Sequence, residues 1–321
     1  MKAIIYLNNL EKLVIQKDST LLFALTLKEN GVDTYLLFED DFYYSNMDGN
    51  QFKMHPFSGS YGSDTFYVDQ FDVGEAESLT LDAGDNFFMR LDPPFDLRYM
   101  RSLWYQNLFS EKGVNFHNHP LGVMANNEKL VAYGSEYSHP SFVGGSVDQF
   151  LNFTQKMKDT GFASLIIKPL DLYQGIGVEK VSLSISEEEL KKLFIDRAES
   201  FGGSLVVQPF IEKITSGEVR STFYKGAEVG SILKVPKEGS YLANIAQGAT
   251  FSRYELTESE RASCQYFCEK LMKQGVDWLA FDLLDGKVSE VNITCPGLLV
   301  ETSKAYGVNL CEKIVGLFLG K

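Results

Sequence analysis

Residues 278–294, WLAFDLLDGKVSEVNIT, most restrict what this chain can fold into. The run reads as two apolar strands joined at Asp285-Gly286, and three oxygen-bearing side chains interrupt it: Asp282, Glu290 and Asn292. The strand 279–284 is apolar on both faces except at Asp282, and a carboxylate in such a strand is costly unless it is paired or bound to a metal. Hard divalent cations, Mg²⁺ or Mn²⁺, suit oxygen ligands of this kind, and Mg²⁺ usually shares one or two carboxylates with the phosphates of a nucleotide. Asp282 and Glu290 offer the charge and Asn292 a neutral oxygen. Strand periodicity puts Glu290 and Asn292 on one face, and Asp282 joins them only by pairing opposite Glu290. A two-residue turn at Asp285-Gly286 would set Asp282 opposite Ser289, so a connection of three residues is expected. The competing reading is a solvent-facing hairpin edge with ordinary polar residues.

The rest of the chain supports a large folded protein. With 321 residues, 44% of them hydrophobic, it can bury a core divided into two or three lobes. A formal charge of -13 argues against nucleic acid, because phosphate backbones need a basic footprint. A bound nucleotide needs only a few local cations and stays compatible. The cysteines Cys264, Cys268, Cys295 and Cys311 show no CxxC spacing, so neither a disulfide framework nor a zinc site is indicated. No long apolar run reads as a membrane span, and Met1 to Tyr6 leads into Asn8-Asn9 rather than a signal-peptide core, which gives a cytoplasmic expectation.

In chain order, a strand at 3–7, a helix opened by Asp18 or Ser19 and stopped at Gly31, and a strand at 32–38 form a βαβ unit, hence a parallel first lobe. The helix N-terminus at Asp18 and Ser19 offers N–H groups to a substrate carboxylate. Short strands and loops fill 42–86. A strand at 87–91 ends at Asp92-Pro93-Pro94, and Asp96 caps a helix to Lys112. Arg90 then lies near the carboxyl end of a strand, where open α/β sheets keep ligands, although an Arg90 to Asp96 ion pair explains it equally well. His117 and His119 lack a third ligand nearby. A helix begins at 126–130 and another spans 148–158. The strand 164–169 ends in Lys168-Pro169, a plausible phosphate contact, since the lysine stem is buried while its ammonium emerges. The loop 170–178 leads to a strand and so fails the context of a Walker A loop, but it can cover phosphates as a hairpin. Capping boxes open helices at Ser186 and Thr257, with antiparallel strands at 205–209, 219–224 and 229–235 between them. The tail 303–321 reads as one amphipathic helix.

These motifs, taken in order, resemble the ATP-grasp ligases, and within them prokaryotic glutathione synthetase. The resemblance is carried by Lys17-Asp18-Ser19-Thr20, Met89-Arg90-Leu91-Asp92-Pro93-Pro94-Phe95-Asp96, Asn127-Glu128-Lys129-Leu130, Ile167-Lys168-Pro169, Asn244-Ile245-Ala246-Gln247-Gly248 and Glu290-Val291-Asn292-Ile293-Thr294. It implies an ATP-grasp fold of mixed α/β and α+β class: a parallel α/β domain at 1–121, a lid domain at 122–204 and an antiparallel nucleotide-binding domain at 205–321. By position it implies that Lys129 and Lys168 contact ATP phosphates, with Gly175 in the covering loop. Gln208, Pro209, Phe210 and Ile211 would lie along the adenine and Glu218 would take the ribose hydroxyls. Asp282, Glu290 and Asn292 would hold Mg²⁺ or Mn²⁺. Arg220 would face the reacting acyl group, and Asp18, Ser19, Arg90 and Asn244 would touch substrate.

The implied reaction makes an amide bond through an acyl phosphate, from γ-glutamylcysteine and glycine or another small amino-acid or peptide pair. The class-level alternative is an ATP-binding protein without catalysis. A homo-oligomer, dimer or tetramer, is implied too. The chain departs from the family at Leu242, Thr250 and Val300, where glutathione synthetases carry arginines, and at Leu172 and Gln174, where the covering loop has glycines.

Overall fold

The structure, a computed structural model, describes residues 2–47, 49–172 and 175–321. The first lobe is built on parallel strands. β1 (Ala3–Leu7) pairs with β2 (Thr34–Phe38) through α1 (Ser19–Glu29), which Asp18 caps by accepting from Leu21 N at 2.7 Å. Two small antiparallel ribbons follow, β3 (Gln51–Met54) with β6 (Glu77–Thr80) and β4 (Phe57–Tyr61) with β5 (Val68–Val73). β7 (Asn86–Arg90) then pairs with β1, α2 (Leu97–Ser110) crosses, and β8 (Asn115–His117) completes the order β2-β1-β7-β8. Period-two alternation splits β1 between two cores: Ala3, Ile5 and Leu7 face α1, while Ile4 and Tyr6 face Leu103 and Phe109 of α2.

After α3 (Pro120–Ala125), the helix expected from Asn126 is a single turn, α4 (Leu130–Tyr133). The lid is an antiparallel sheet ordered β11-β10-β12-β9, from β9 (Phe142–Gly144), β10 (Ser164–Pro169), β11 (Glu179–Ser182) and β12 (Leu205–Pro209). Its cover is α5 (Val147–Asp159) and α6 (Glu187–Ser200), joined by Phe150 stacked on Phe194 at 4.2 Å. β12 pairs with both β9 and β10, so the expected division at 204/205 cuts through the lid sheet; the strand belongs to the lid because its partners are there.

The second antiparallel sheet runs β15-β14-β13-β16-β17: β13 (Glu218–Tyr224), β14 (Ala227–Val235), β15 (Thr250–Arg253), β16 (Trp278–Leu284) and β17 (Lys287–Asn292). α7 (Glu258–Met272), with its capping box at Thr257, covers the face formed by Phe223, Leu279, Phe281 and Val291. The opposite face carries the chemistry. Asp282 does sit opposite Glu290, but by another route than the expected one. The turn has the two residues Asp285 and Gly286, both at positive φ, and a bulge between Asp282 and Leu283 restores the face by leaving Ser289 unpaired.

The tail is likewise corrected, from one helix to two. Gly307, at φ +69, ends α8 (Leu299–Tyr306) in a left-handed cap, and α9 (Cys311–Phe318) turns back onto α1. One buried residue ties the parallel lobe to this sheet: Asn118 donates to Trp278 O and Ile293 O at 2.8 Å each and accepts from Asp277 N at 2.9 Å and Trp278 N at 2.8 Å.

Candidate active site

Register brings the charged residues onto one face. Arg220 pairs across to Asp282, Asp282 to Glu290, and Glu218 to Lys234. Arg220 grips Asp282 bidentately, Nε to Oδ1 at 3.0 Å and Nη2 to Oδ2 at 2.8 Å. Lys234, which the sequence reading passed over, sends its ammonium to Asp282 Oδ1 at 2.8 Å and Glu218 Oε2 at 2.9 Å. Asn292 Nδ2 completes Asp282 with a bond to Oδ2 at 3.1 Å. Burial works to lift the Asp282 carboxyl, but Arg220 and Lys234 outweigh it and hold the group far below the usual carboxylate range. Burial dominates at Glu218 and raises it.

Lysines close this face from the lid side. Lys129, 7% exposed, lies 3.2 Å from Glu290 Oε1, and its ammonium donates to Leu172 O at 2.8 Å and Leu170 O at 3.3 Å. It is held there by Glu128, another residue the sequence reading gave no role. Glu128 Oε1 accepts from Ile293 N at 2.7 Å and from Thr294 N and Thr294 Oγ1 at 2.9 Å. Those bonds clamp α4 to the end of β17. Burial raises the Glu128 carboxyl, with Glu290 adding to the effect. Burial lowers Lys168, against the pull of Glu290, Glu218 and Asp282, and its ammonium lies 5.7 Å from the Tyr133 ring. Of the covering loop, Tyr173 and Gln174 lie outside the described residues. A Cβ at Gly175 would stand 3.2 Å from Leu242, so loop and flap meet there.

The expected adenine segment borders this site. Gln208 donates to Ser141 Oγ at 2.8 Å, Pro209 ends β12, and Phe210, followed by Ile211, packs with Ile214, Ala243 and Tyr241 while Lys180 sits 3.5 Å over its ring. Asn244 accepts from Ala246 N, capping a local turn in the flap.

A second cluster lies at the carboxyl ends of β1 and β7. Arg90, 2% exposed, bonds Thr20 Oγ1 at 3.1 Å and Pro296 O at 2.9 Å, stacks 4.5 Å over Trp278, and keeps a buried Nη1 with no partner among the described residues. Asp96 instead caps α2 at Tyr99 N, so the Arg90–Asp96 pair does not form. Ser19 Oγ accepts from Leu299 N at 3.0 Å, and Asp18 is lifted by burial to about 6. Cys295 sits alongside with its thiol pushed up by burial, the state of a packing residue.

The donor set admits a divalent cation in a specific way. Glu290 is partly exposed, and Asn292, its Nδ2 spent on Ala280 O and Asp282, keeps Oδ1 as an acceptor. Asp282 lies on the same face, but its two oxygens already accept four bonds. Glu290 and Asn292 therefore fit as metal ligands, and the expectation that Asp282 ligates directly meets an oxygen pair already taken by Arg220, Lys234 and the Asn292 amide.

A parallel lobe, an antiparallel lid and an antiparallel sheet with a lysine-lined carboxylate face define an ATP-grasp enzyme, an ADP-forming ligase. Residues 1–123 match the model of the prokaryotic glutathione synthetase N-terminal domain and residues 128–307 that of its ATP-grasp domain. The chain belongs to the prokaryotic glutathione synthetase family. It is 30% identical over 244 residues to the glutathione synthetase of Parasynechococcus marenigrum (strain WH8102), covering 76% of this chain and 77% of that one. Identity to the Shewanella oneidensis enzyme is 26% over 315 residues, covering 97% and 95%. Among solved structures, D-cycloserine synthetase DcsG aligns at TM-score 0.64 and 12% identity over 98% of this chain and 99% of that one. The ATP-grasp ligase PsnB complexed with minimal precursor aligns at 0.62 and 14% over 99% of both. These likenesses at low identity carry the fold.

Proposed function

We propose that this ligase joins a small carboxylate to a small amine through an acyl phosphate, with γ-glutamylcysteine and glycine as the first pair to test. The observation that carries the reading is the bidentate Arg220–Asp282 pair flanked by Lys234, Lys129 and Glu290 on one sheet face. The substrate carboxylate oxygen attacks the γ-phosphorus as the bond to ADP breaks; the amine nitrogen then attacks the acyl carbon, phosphate leaves, and the amine proton passes to solvent. With Nε and Nη2 fixed on Asp282, Arg220 keeps Nη1 for the oxyanion that develops at the acyl carbon. Lys129 and Lys168 neutralise the transferring phosphoryl group. Mg²⁺ or Mn²⁺ at Glu290 and Asn292 would supply Lewis-acid charge to the nucleotide phosphates. Arg90 Nη1 and the N-terminus of α1 at Asp18 and Ser19 would receive a substrate carboxylate.

A second substrate pair is favoured by the positions of the family's missing arginines. Val300 is 1% exposed within the α1 core, and Leu242 packs beside Gly175, so neither supplies a cation for an acidic substrate. The test is Mg²⁺-dependent phosphate release from ATP with γ-glutamylcysteine plus glycine, beside a panel of other carboxylate and amine pairs. Release with the glutathione precursors supports the first pair. Release only with another pair replaces the substrate and keeps the chemistry, and silence throughout with ATP bound refutes ligation. In line with the family, assembly as a homo-oligomer in the cytoplasm accompanies the proposal; among the described residues no helix is long and apolar enough to cross a membrane.

A further inference from the structure

Phosphoryl-transfer sites often hold two divalent ions about 3.5–4 Å apart, bridged by shared carboxylates. In this chain a second ion beside Glu290 would need Asp282, its cross-strand neighbour, and the acceptor capacity of Asp282 is spent. Oδ1 accepts from Arg220 Nε at 3.0 Å and Lys234 Nζ at 2.8 Å, and Oδ2 accepts from Arg220 Nη2 at 2.8 Å and Asn292 Nδ2 at 3.1 Å. A carboxylate offers about four lone-pair directions, so a metal ion ligated by Asp282 must evict one of these donors. Lys234 is the one that behaves as an ion would. It is 5% exposed, and its ammonium bridges Asp282 Oδ1 and Glu218 Oε2 at 2.8 and 2.9 Å.

We propose that Lys234 fills a cation position of the phosphate site, so that the chain takes up one divalent cation with its nucleotide, at Glu290 and Asn292, instead of a pair. The inference rests on the functional reading above and deepens it. Charge supports it: Glu218, Asp282 and Glu290 stand against Lys234, Arg220, Lys129 and Lys168, so cationic side chains already outnumber these carboxylates before any metal enters. Each divalent ion beyond the first would add two more positive charges beside these buried cations. Two of the three ammonium protons of Lys234 go to carboxylates, and the third, without a partner among the described residues, can meet a phosphate oxygen. Asp282 on this reading is a positioning residue, which fixes Arg220 and Lys234 and does not touch the metal.

The experiment counts bound Mn²⁺ by electron paramagnetic resonance in the presence of a non-hydrolysable ATP analogue with an imido β–γ bridge, with bound nucleotide measured in parallel by equilibrium dialysis. The parent is expected to saturate at one Mn²⁺ per bound nucleotide and Lys234→Met to rise toward two. Asp282→Asn is expected to keep one, which holds the proposal to account if Lys234→Met fails to fold. A parent that takes two, a folded Lys234→Met that stays at one, or an Asp282→Asn that loses its Mn²⁺ with nucleotide still bound would each overturn the inference alone. Absence of nucleotide binding in the parent would overturn the functional reading and this inference with it.

Discussion

Replacing Asn118 by alanine should cost more than most single substitutions, and the structure gives the size. Its side chain satisfies four backbone groups: the N–H and C=O of Trp278, the C=O of Ile293 and the N–H of Asp277. Trp278 is 1% exposed and Ile293 0%, so three of those groups lose their partner where solvent does not reach. A buried polar group left unpaired costs about 1–3 kcal/mol. A water drawn into the vacated polar space recovers part of the sum, which leaves a loss of about 3–5 kcal/mol. Stabilities of folded domains run to only about 5–15 kcal/mol, so this is a large share. Urea unfolding followed by both near-ultraviolet circular dichroism and tryptophan fluorescence would read it as a shift in midpoint at constant slope. Asn118→Asp is the sharper companion. An ionised carboxylate accepts from the two N–H groups but cannot donate to Trp278 O or Ile293 O, so at neutral pH its loss should match or exceed that of alanine. Its folded-state pKa is then raised, and the loss shrinks as pH falls and the added proton restores one donor. An alanine variant within about 1 kcal/mol of the parent would refute the reasoning, because the lobes would then be joined by packing and not by this residue.

Two further outcomes follow from the same geometry. Glu290→Ala removes the partly exposed carboxylate beside Lys129 and should abolish turnover while leaving the unfolding midpoint nearly unchanged; turnover at the parent rate would mean that the metal position is elsewhere. Asp18 is lifted by burial from 3.8 to about 6, so between those values the folded state holds a proton that the unfolded chain has released, and stability falls as pH rises through that window. Asp18→Asn keeps an acceptor for Leu21 N and should flatten that fall, whereas Asp18→Ala loses the cap and costs about 1 kcal/mol; an asparagine variant with the parent's slope would show that another group titrates there.

What could be read from the sequence was whatever repeats along one segment. The βαβ start, Asp18 and Asp96 as caps, both capping boxes and the shared face of Glu290 and Asn292 all follow from periodicity or from neighbours a few residues away. What was missed depends on partners distant in sequence. β12 was assigned to the wrong sheet because nothing in Leu205–Pro209 says which strands it will meet. Lys234 was invisible for a countable reason. From the turn at Lys225-Gly226, regular pairing puts Leu233 opposite Glu218, and only the bulge between Thr222 and Phe223 advances the strand so that Lys234 takes that place. The Asp282–Glu290 register depends on a second such bulge, so both rows of charge exist because each hairpin gains one unpaired residue. Asn118 and Glu128 read as ordinary loop residues until the strands they bind, more than a hundred residues on, come beside them.

The return of α9 to α1 has a consequence for how the polypeptide acquires its shape as it is made. Leu21, Leu22 and Leu25 share one core with Leu299, Leu310, Ile314 and Val315, so the earliest helix finds its cover only when the latest ones have emerged. On the ribosome the first lobe must wait with that apolar flank open through most of synthesis, a period in which chaperone capture or premature pairing competes with folding. A stop codon just ahead of residue 299 would therefore do its damage at the opposite end of the chain, by stranding α1.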